Sequence, residues 1–322
     1  MTRAKLQHNL ENNRAFTRVF QPNKLTVGIM APFSGYLTPF PDLSQQEKLL
    51  KMIDNSPIAA IWARDVPFYD PTFGDVGQGT DPLVTLGWYT ALTKNVTLGS
   101  AGIVTTLRNP IHTAKAAASL DLLSSGRFIL GLATGDRPAE YAAFGEKFVD
   151  RSQRYRETWN IIQRIQQEKY PQFTTESYGK FSGDLDFYPK PEHHIPMITI
   201  GQARQDVAWI GQNADAWLTY GLFNEPERMR QTIRSLAQAA PHKWTPFGTG
   251  TFLELEADDD APLLMGPVYI KTGSKALVKV LQDLEELGVN HIVFNLKPTR
   301  DLSQEQALEK IINLVSVHFP HH

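Results

Sequence analysis

An α/β fold closed into a (β/α)8 TIM barrel with insertions is the architecture that this 322-residue sequence predicts. Three observations lead there. Eight short apolar segments recur along the chain, each trailed by a longer segment whose apolar residues fall at helical spacing. The short segments lack strict polar alternation, as parallel strands covered on both faces do. The competing doubly wound open sheet lacks its signature: GDVGQG and GTG do not form a G-x-G-x-x-G turn between a first strand and a helix.

In chain order the first four predicted strands are LTVGIMAP (25–32), AAIWAR (59–64), VTLGSAGIV (96–104) and RFILGLA (127–133). The next four are PMITIG (196–201), AWLTYG (216–221), GTGTFLEL (248–255) and NHIVFNL (290–296). Helical patterns between them include SQQEKLLKMIDN, PIHTAKAAASLDLL, SQRYRETWNIIQRIQQEK and SKALVKVLQDLEEL. Ser44 with Glu47 three residues later reads as a capping box, and Gly288 as the stop of the seventh helix. Two segments read as insertions in a single barrel domain spanning 1–322. The first, near 65–81, is rich in Gly, Pro and Asp and follows the second strand, which places it at the catalytic face as a candidate lid. The second, near 170–195, precedes the fifth strand and is expected to hold a small hairpin.

Charge is nearly balanced, with 32 Lys and Arg against 34 Asp and Glu, so nothing electrostatic calls for a nucleic-acid or acidic-membrane partner. No apolar run approaches the roughly 20 residues that span a bilayer. The opening residues MTRAKLQHNLENNRAF are polar and mixed in charge, unlike a secretory signal, so a cytoplasmic location is expected. The absence of cysteine excludes disulfides, thiolate metal sites and cysteine nucleophiles. No metal site is expected either: His193 and His194 lack the spaced third ligand.

In such a barrel the strand C-termini converge on one mouth. The turn Gly201, Gln202, Ala203, Arg204 and Gln205 joins the fifth strand to the helix DVAWIGQNA, and its N–H groups with the Arg204 cation suit a phosphate. A plain strand–helix turn with a surface arginine fits the same residues. Thr134, Gly135 and Asp136 end the fourth strand in a hydroxyl, a close backbone approach and a carboxylate. Asp65 ends the second strand beside Arg64, able to bond a ligand or simply its neighbour. His112 reads as a helix cap and His291 as a core histidine.

Taken together these segments resemble the luciferase-like flavin monooxygenases, the family of bacterial luciferase and alkanesulfonate monooxygenase. The likeness is strongest over 96–136, VTLGSAGIVTTLRNPIHTAKAAASLDLLSSGRFILGLATGD, and continues in EYAAFG (140–145), RYRETW (154–159) and MITIGQARQDVAWIGQNADAWLTYG (197–221). The resemblance implies an FMN lying across the mouth, bordered by Thr134, Gly135 and Asp136. Its phosphate would sit on Gly201 to Gln205, with Tyr155 reaching it from the fourth helix and Asp65 near the ring. Asp65 and Asp136 are the catalytic candidates on this reading. Relatives also carry a non-proline cis peptide near the end of strand three, here at Ala101–Gly102 or its neighbour, beneath the flavin. Met30, Trp62 and Ile103 are expected to pack against the ring.

The activity so implied is a monooxygenase that takes reduced FMN from a separate reductase and uses oxygen on a small organic substrate, working as a homodimer. Two alternatives stand beside it. One is hydride transfer with a deazaflavin coenzyme and no oxygen; the other is flavin binding without turnover. One departure matters: many relatives have histidine after the strand-two aspartate, where this chain has Val66. Asp70, Tyr69 or His291 are the substitutes considered for proton handling.

Overall fold

Eight parallel strands hydrogen-bond in a closed ring. In the computed structural model, which describes residues 10–33, 40–73, 79–221, 223 and 225–320, they are β1 (Thr26–Ala31), β2 (Ala60–Ala63), β3 (Thr97–Ser100) and β4 (Phe128–Ala133). They continue as β5 (Met197–Ile200), β6 (Ala216–Tyr220), β7 (Phe247–Leu255) and β8 (His291–Asn295). Each pairs with its sequence neighbour, and β8 returns to β1 with Thr26 opposite His291. Eight helices follow the strands in turn: α1 (Gln46–Asp54), α2 (Pro82–Leu92), α3 (Pro110–Leu123) and α4 (Arg151–Gln167), then α5 (Val207–Asn213), α6 (Pro226–Ala239), α7 (Ser274–Leu287) and α8 (Gln304–His318). This is the predicted (β/α)8 barrel. Among the described residues no helix is long and apolar enough to cross a membrane.

The barrel interior is filled from below. Phe16, Val19 and Phe20, on and beside the short helix Arg14–Val19, join Met30, Trp62, Ile129, Ile198 and Val293 in one buried cluster. Trp62 needs room that only glycine leaves: a Cβ on Gly99 would come within 2.3 Å of its ring, and one on Gly28 within 2.8 Å of its Nε1. The indole Nε1–H donates to His291 Nε2 at 2.9 Å, which leaves Nδ1 as the protonated nitrogen, bonded to Thr26 Oγ1 at 2.6 Å. The Thr26 hydroxyl then donates to the Val19 carbonyl at 2.6 Å. His291 is thus the core histidine.

Local signals are met unevenly. Gly288 ends α7 in the left-handed region at φ 94°, the conformation that glycine adopts without cost. The capping box at Ser44 does not form. Asp42 takes both the amide and the hydroxyl of Ser44, at 2.9 Å each, and α1 starts one turn-residue later than that box requires. The second insertion carries a hairpin, Gln172–Thr174 against Lys180–Ser182. Residues 74–78 of the first lie outside the described residues. A further elaboration had no sequence signal assigned to it: after β7 the strand Tyr269–Thr272 runs parallel to Phe252–Leu255, with Leu264–Met265 antiparallel beyond it.

At the base of the barrel His194 and Asp215 fasten β5 to β6. Nε2 of His194 lies 2.6 Å from Asp215 Oδ2, which also accepts from the Met197 amide at 2.8 Å. Burial alone would lower the histidine pKa and raise the aspartate's, but each charge reverses this for the other, so His194 is raised and Asp215 lowered. Below the ordinary histidine value of 6.5 the His194 contribution is fully present, and it fades as pH rises through the raised value. His194→Gln is therefore expected to cost about 3 kcal/mol near neutral pH, since Asp215 loses its buried partner. Thermal melts from acid to alkaline pH should show the deficit shrinking on the alkaline side. A deficit independent of pH would make the pair a packing contact.

Candidate active site

The strand C-termini open into a cavity of about 620 Å³. Its lining includes Asp65, Ala101, Gly102, Thr134, Gly135, Asp136 and Gly201 to Arg204, so ten of the twelve residues singled out in the sequence meet there. Tyr155 and Gln205 do not. Tyr155 is wholly buried behind β4 and β5, its hydroxyl bonded to Thr199 Oγ1 at 3.1 Å, and burial pushes its pKa up. It cannot reach a ligand at the mouth from there. Gln205 works from behind the turn, where its amide donates to Ser152 O at 3.0 Å and Ala203 O at 2.9 Å.

One wall is the turn after β5. Gly201, Ala203 and Arg204 all have positive φ, at 61°, 47° and 56°, a conformation that non-glycine residues adopt only when the surroundings hold it. What holds it is α4: Ser152 Oγ donates to Arg204 O at 3.0 Å, beside the Gln205 contacts. Among the described residues no protein acceptor takes the N–H groups of Gln202, Ala203 or Arg204. The helix start itself is less available than the sequence suggested, because Asp206 caps α5 by accepting from Trp209 N at 2.6 Å. A side chain on Gly201 would meet nothing within 4 Å, so the space above the turn is open.

The same stapling brings Arg151, the first residue of α4, toward Arg204. Arg151 is buried over the Phe148 ring, 3.4 Å from its centroid, and donates to the Phe148 carbonyl. Burial and then the charge of Arg204 lower its pKa. Arg204 has no hydrogen-bonded or ion-paired side-chain partner among the described residues. Arg151 and Arg204 both line the cavity, and their like charges disfavour each other, a repulsion that a phosphate would relieve. Sequence reasoning missed Arg151, which directly precedes the helical run SQRYRETWNIIQRIQQEK.

The opposite wall is built on Asp65. Its Oδ2 accepts from the Val104 amide at 3.0 Å and from Arg108 Nε at 2.8 Å, and its Oδ1 from Arg108 Nη2 at 2.7 Å. Arg108 also reaches Asp81 at 2.7 Å, the cap of α2. The expected catalytic role does not fit a carboxylate so committed; Asp65 is an anchor. What it anchors is the strip Ile103–Val104, which pairs with the end of β4 and follows the Ala101–Gly102 peptide, here cis. That strip and Ile200 form a thin apolar ledge. Met30, Trp62 and Ile103 do not line the cavity: the first two fill the interior below it, and Ile103 packs outward with the helices.

Asp136 sits on the wall exposed and without a hydrogen-bond partner among the described residues. Asp70 and Tyr69 lie outside the lining, and Asp70 is held below its ordinary pKa by the hydroxyl and amide of Thr72. Arg137 and Glu140, also missed in the sequence, are buried in the wall near them, 3.7 Å apart. Their spacing of three on one helical turn was the available signal.

A family model described as luciferase-like monooxygenase matches residues 20–260. The chain belongs to that family. Its members are oxidoreductases, and three comparisons show the range. The F420-dependent glucose-6-phosphate dehydrogenase of Kineococcus radiotolerans is 30% identical over 163 residues, 49% of this chain and 47% of that one. The alkanal monooxygenase beta chain of Photorhabdus luminescens is 32% identical over 118 residues, covering 37% and 34%. A solved F420-dependent secondary alcohol dehydrogenase, in complex with an F420–acetone adduct, superposes with a TM-score of 0.73 over 92% of this chain and 98% of its own, at 16% identity. The first of these alignments spans about half the length of the relative it matches.

If Asp65 is an anchor, Asp65→Asn, which keeps an acceptor for the Val104 amide, should cost less stability than Asp65→Ala, for which about 2 kcal/mol is expected. Urea unfolding of the two variants measures this. A turnover loss in Asp65→Asn far beyond its stability loss would restore a direct catalytic role.

Proposed function

We propose that this chain is an oxidoreductase that binds a phosphorylated flavin-type cofactor across the mouth and, with a deazaflavin coenzyme, exchanges a hydride with a small organic substrate. The observation that carries the reading is the seat of three N–H groups without a protein acceptor among the described residues, with Arg151 and Arg204 around it. The donor set fits a phosphate, and the ledge of Ala101, Gly102, Val104 and Ile200 fits the flat face of a ring. When bound, the deazaflavin supplies or accepts the hydride. The protein's part is to hold the phosphate at the turn, keep the ledge thin and present carboxyl groups on the Asp136 side. The F420-dependent dehydrogenases among the relatives support this version.

A second reading, reduced FMN used with oxygen, is supported by the likeness to the alkanal monooxygenase chain. Anaerobic titration with reduced deazaflavin and reduced FMN, followed by oxygen addition with an electrode, separates the two. Tighter deazaflavin binding without oxygen uptake is expected. Substrate-dependent oxygen uptake with FMN would put oxygenation, and a reductase partner, in its place. Binding of neither would overturn both. Arg204→Ala and Arg151→Ala should each weaken the phosphorylated cofactor by about 1.5–3 kcal/mol, the range for hydrogen bonds to charged groups, and leave riboflavin binding unchanged. Equal losses for riboflavin would remove the phosphate role.

We also propose that a second copy of the chain covers α2. That helix is apolar on all sides, yet Val84 is 71% and Trp88 44% exposed. Sedimentation should show a dimer that Trp88→Glu dissociates; a wild-type monomer would refute it.

A further inference from the structure

We propose that Glu140 is the proton-carrying residue of this cavity, a buried carboxyl group that exchanges its proton with a substrate oxygen. The proposal rests on the hydride-transfer reading above and adds the residue that completes its proton balance.

The geometry singles Glu140 out among the acids of the mouth. Asp65 is locked on Arg108 and the Val104 amide, and Asp70 on Thr72. Tyr141 bonds the Thr134 carbonyl and Thr106. Glu140 lines the cavity with its side chain only 6% exposed, and its Oε1 has no hydrogen-bond partner among the described residues. A buried carboxylate oxygen left without a hydrogen bond is costly, whereas the protonated carboxyl group avoids that cost and has a proton to offer. Among the described residues Arg137 is the cation at ion-pair distance from it, with Nη1 3.7 Å from Oε1, beyond hydrogen-bond reach, and that guanidinium also meets the Phe68 carbonyl at 3.3 Å and the Phe73 ring. The other charges facing Glu140 are the carboxylates of Asp65, Asp136 and Asp70. Burial is the largest influence, and with the smaller push of these carboxylates it outweighs Arg137 and raises the Glu140 pKa.

In the reducing direction, a carbonyl carbon of the substrate takes a hydride from a reduced deazaflavin while its oxygen takes the proton of Glu140. The carbonyl π pair becomes the bonding pair of the new O–H, an alcohol leaves, and the Glu140 carboxylate is left opposite Arg137. Water at the exposed Asp136, ahead of the helix that carries Glu140, returns the proton. Two carboxyls in unlike settings, one buried and one wet, divide the work of transfer and resupply.

The first test needs no cofactor. Infrared difference spectra of the intact chain, wild type minus Glu140→Gln, should show the carbonyl stretch of a protonated carboxyl at neutral pH, and Asp136→Asn should retain it. Its absence overturns the proposal. The second test is kinetic: Glu140→Gln should bind the cofactor within about twofold of wild type yet turn over on the order of a hundredfold more slowly. Wild-type carbonyl reduction should fall as pH rises through the Glu140 value, and the variant should lose that limb. Glu140→Asp should restore part of the rate, which a folding defect would not. Wild-type rates or an unchanged pH profile in Glu140→Gln overturn the assignment. Failure of the wild type to bind any deazaflavin overturns the hydride reading instead, and the infrared band then still reports on Glu140 by itself.

Discussion

The mouth of this barrel is organised by one carboxylate. Asp65 stands at the end of β2, where three pieces of chain distant in sequence must meet: the strip after β3, the start of α2 and Arg108 between them. A charged group buried in this way is tolerable because every oxygen is engaged and the opposite charge is bidentate. The strip then lies flat against the end of β4, which puts Ala101, Gly102 and Val104 on the cavity floor and leaves Asp136 on the rim. Without that pair the ledge would have no fixed height relative to the turn across from it.

The second wall depends on a different kind of tie. The turn after β5 carries three left-handed residues, two of them with side chains, and its conformation is maintained by hydrogen bonds from the first turn of α4. The helix supplies the staple and the second guanidinium in adjacent residues, Ser152 and Arg151. Local backbone geometry and the charge of the seat are therefore coupled: a change that loosens the staple also separates the two cations.

The sequence made the barrel legible because each β/α unit is local. Apolar runs such as RFILGLA are short, bounded and followed by helical spacing, and the eight observed strands lie within or one residue from the segments read as strands. Ten residues of the cavity lining were legible for the same reason, since strand ends converge at a barrel mouth whatever the ligand. The rest depended on tertiary contacts. Arg151 shares the cavity wall with Arg204, where Ser152 beside it bonds across a separation of 52 residues, and Asp65 finds Arg108 across 43. Tyr155 and Gln205 lie outside the cavity lining because residues that sit beside a site in sequence can face its back. Ser44 failed as a cap because Asp42, two residues earlier, is the stronger acceptor for its hydroxyl and amide.

The polar chain at the centre of the barrel has a consequence for traffic through it. Trp62 can only donate, and the chain through His291 and Thr26 ends at the Val19 carbonyl, which can only accept. A file of hydrogen bonds with a fixed donor at one end and a fixed acceptor at the other conducts in neither direction. Protons exchanged in the cavity therefore do not travel down this chain.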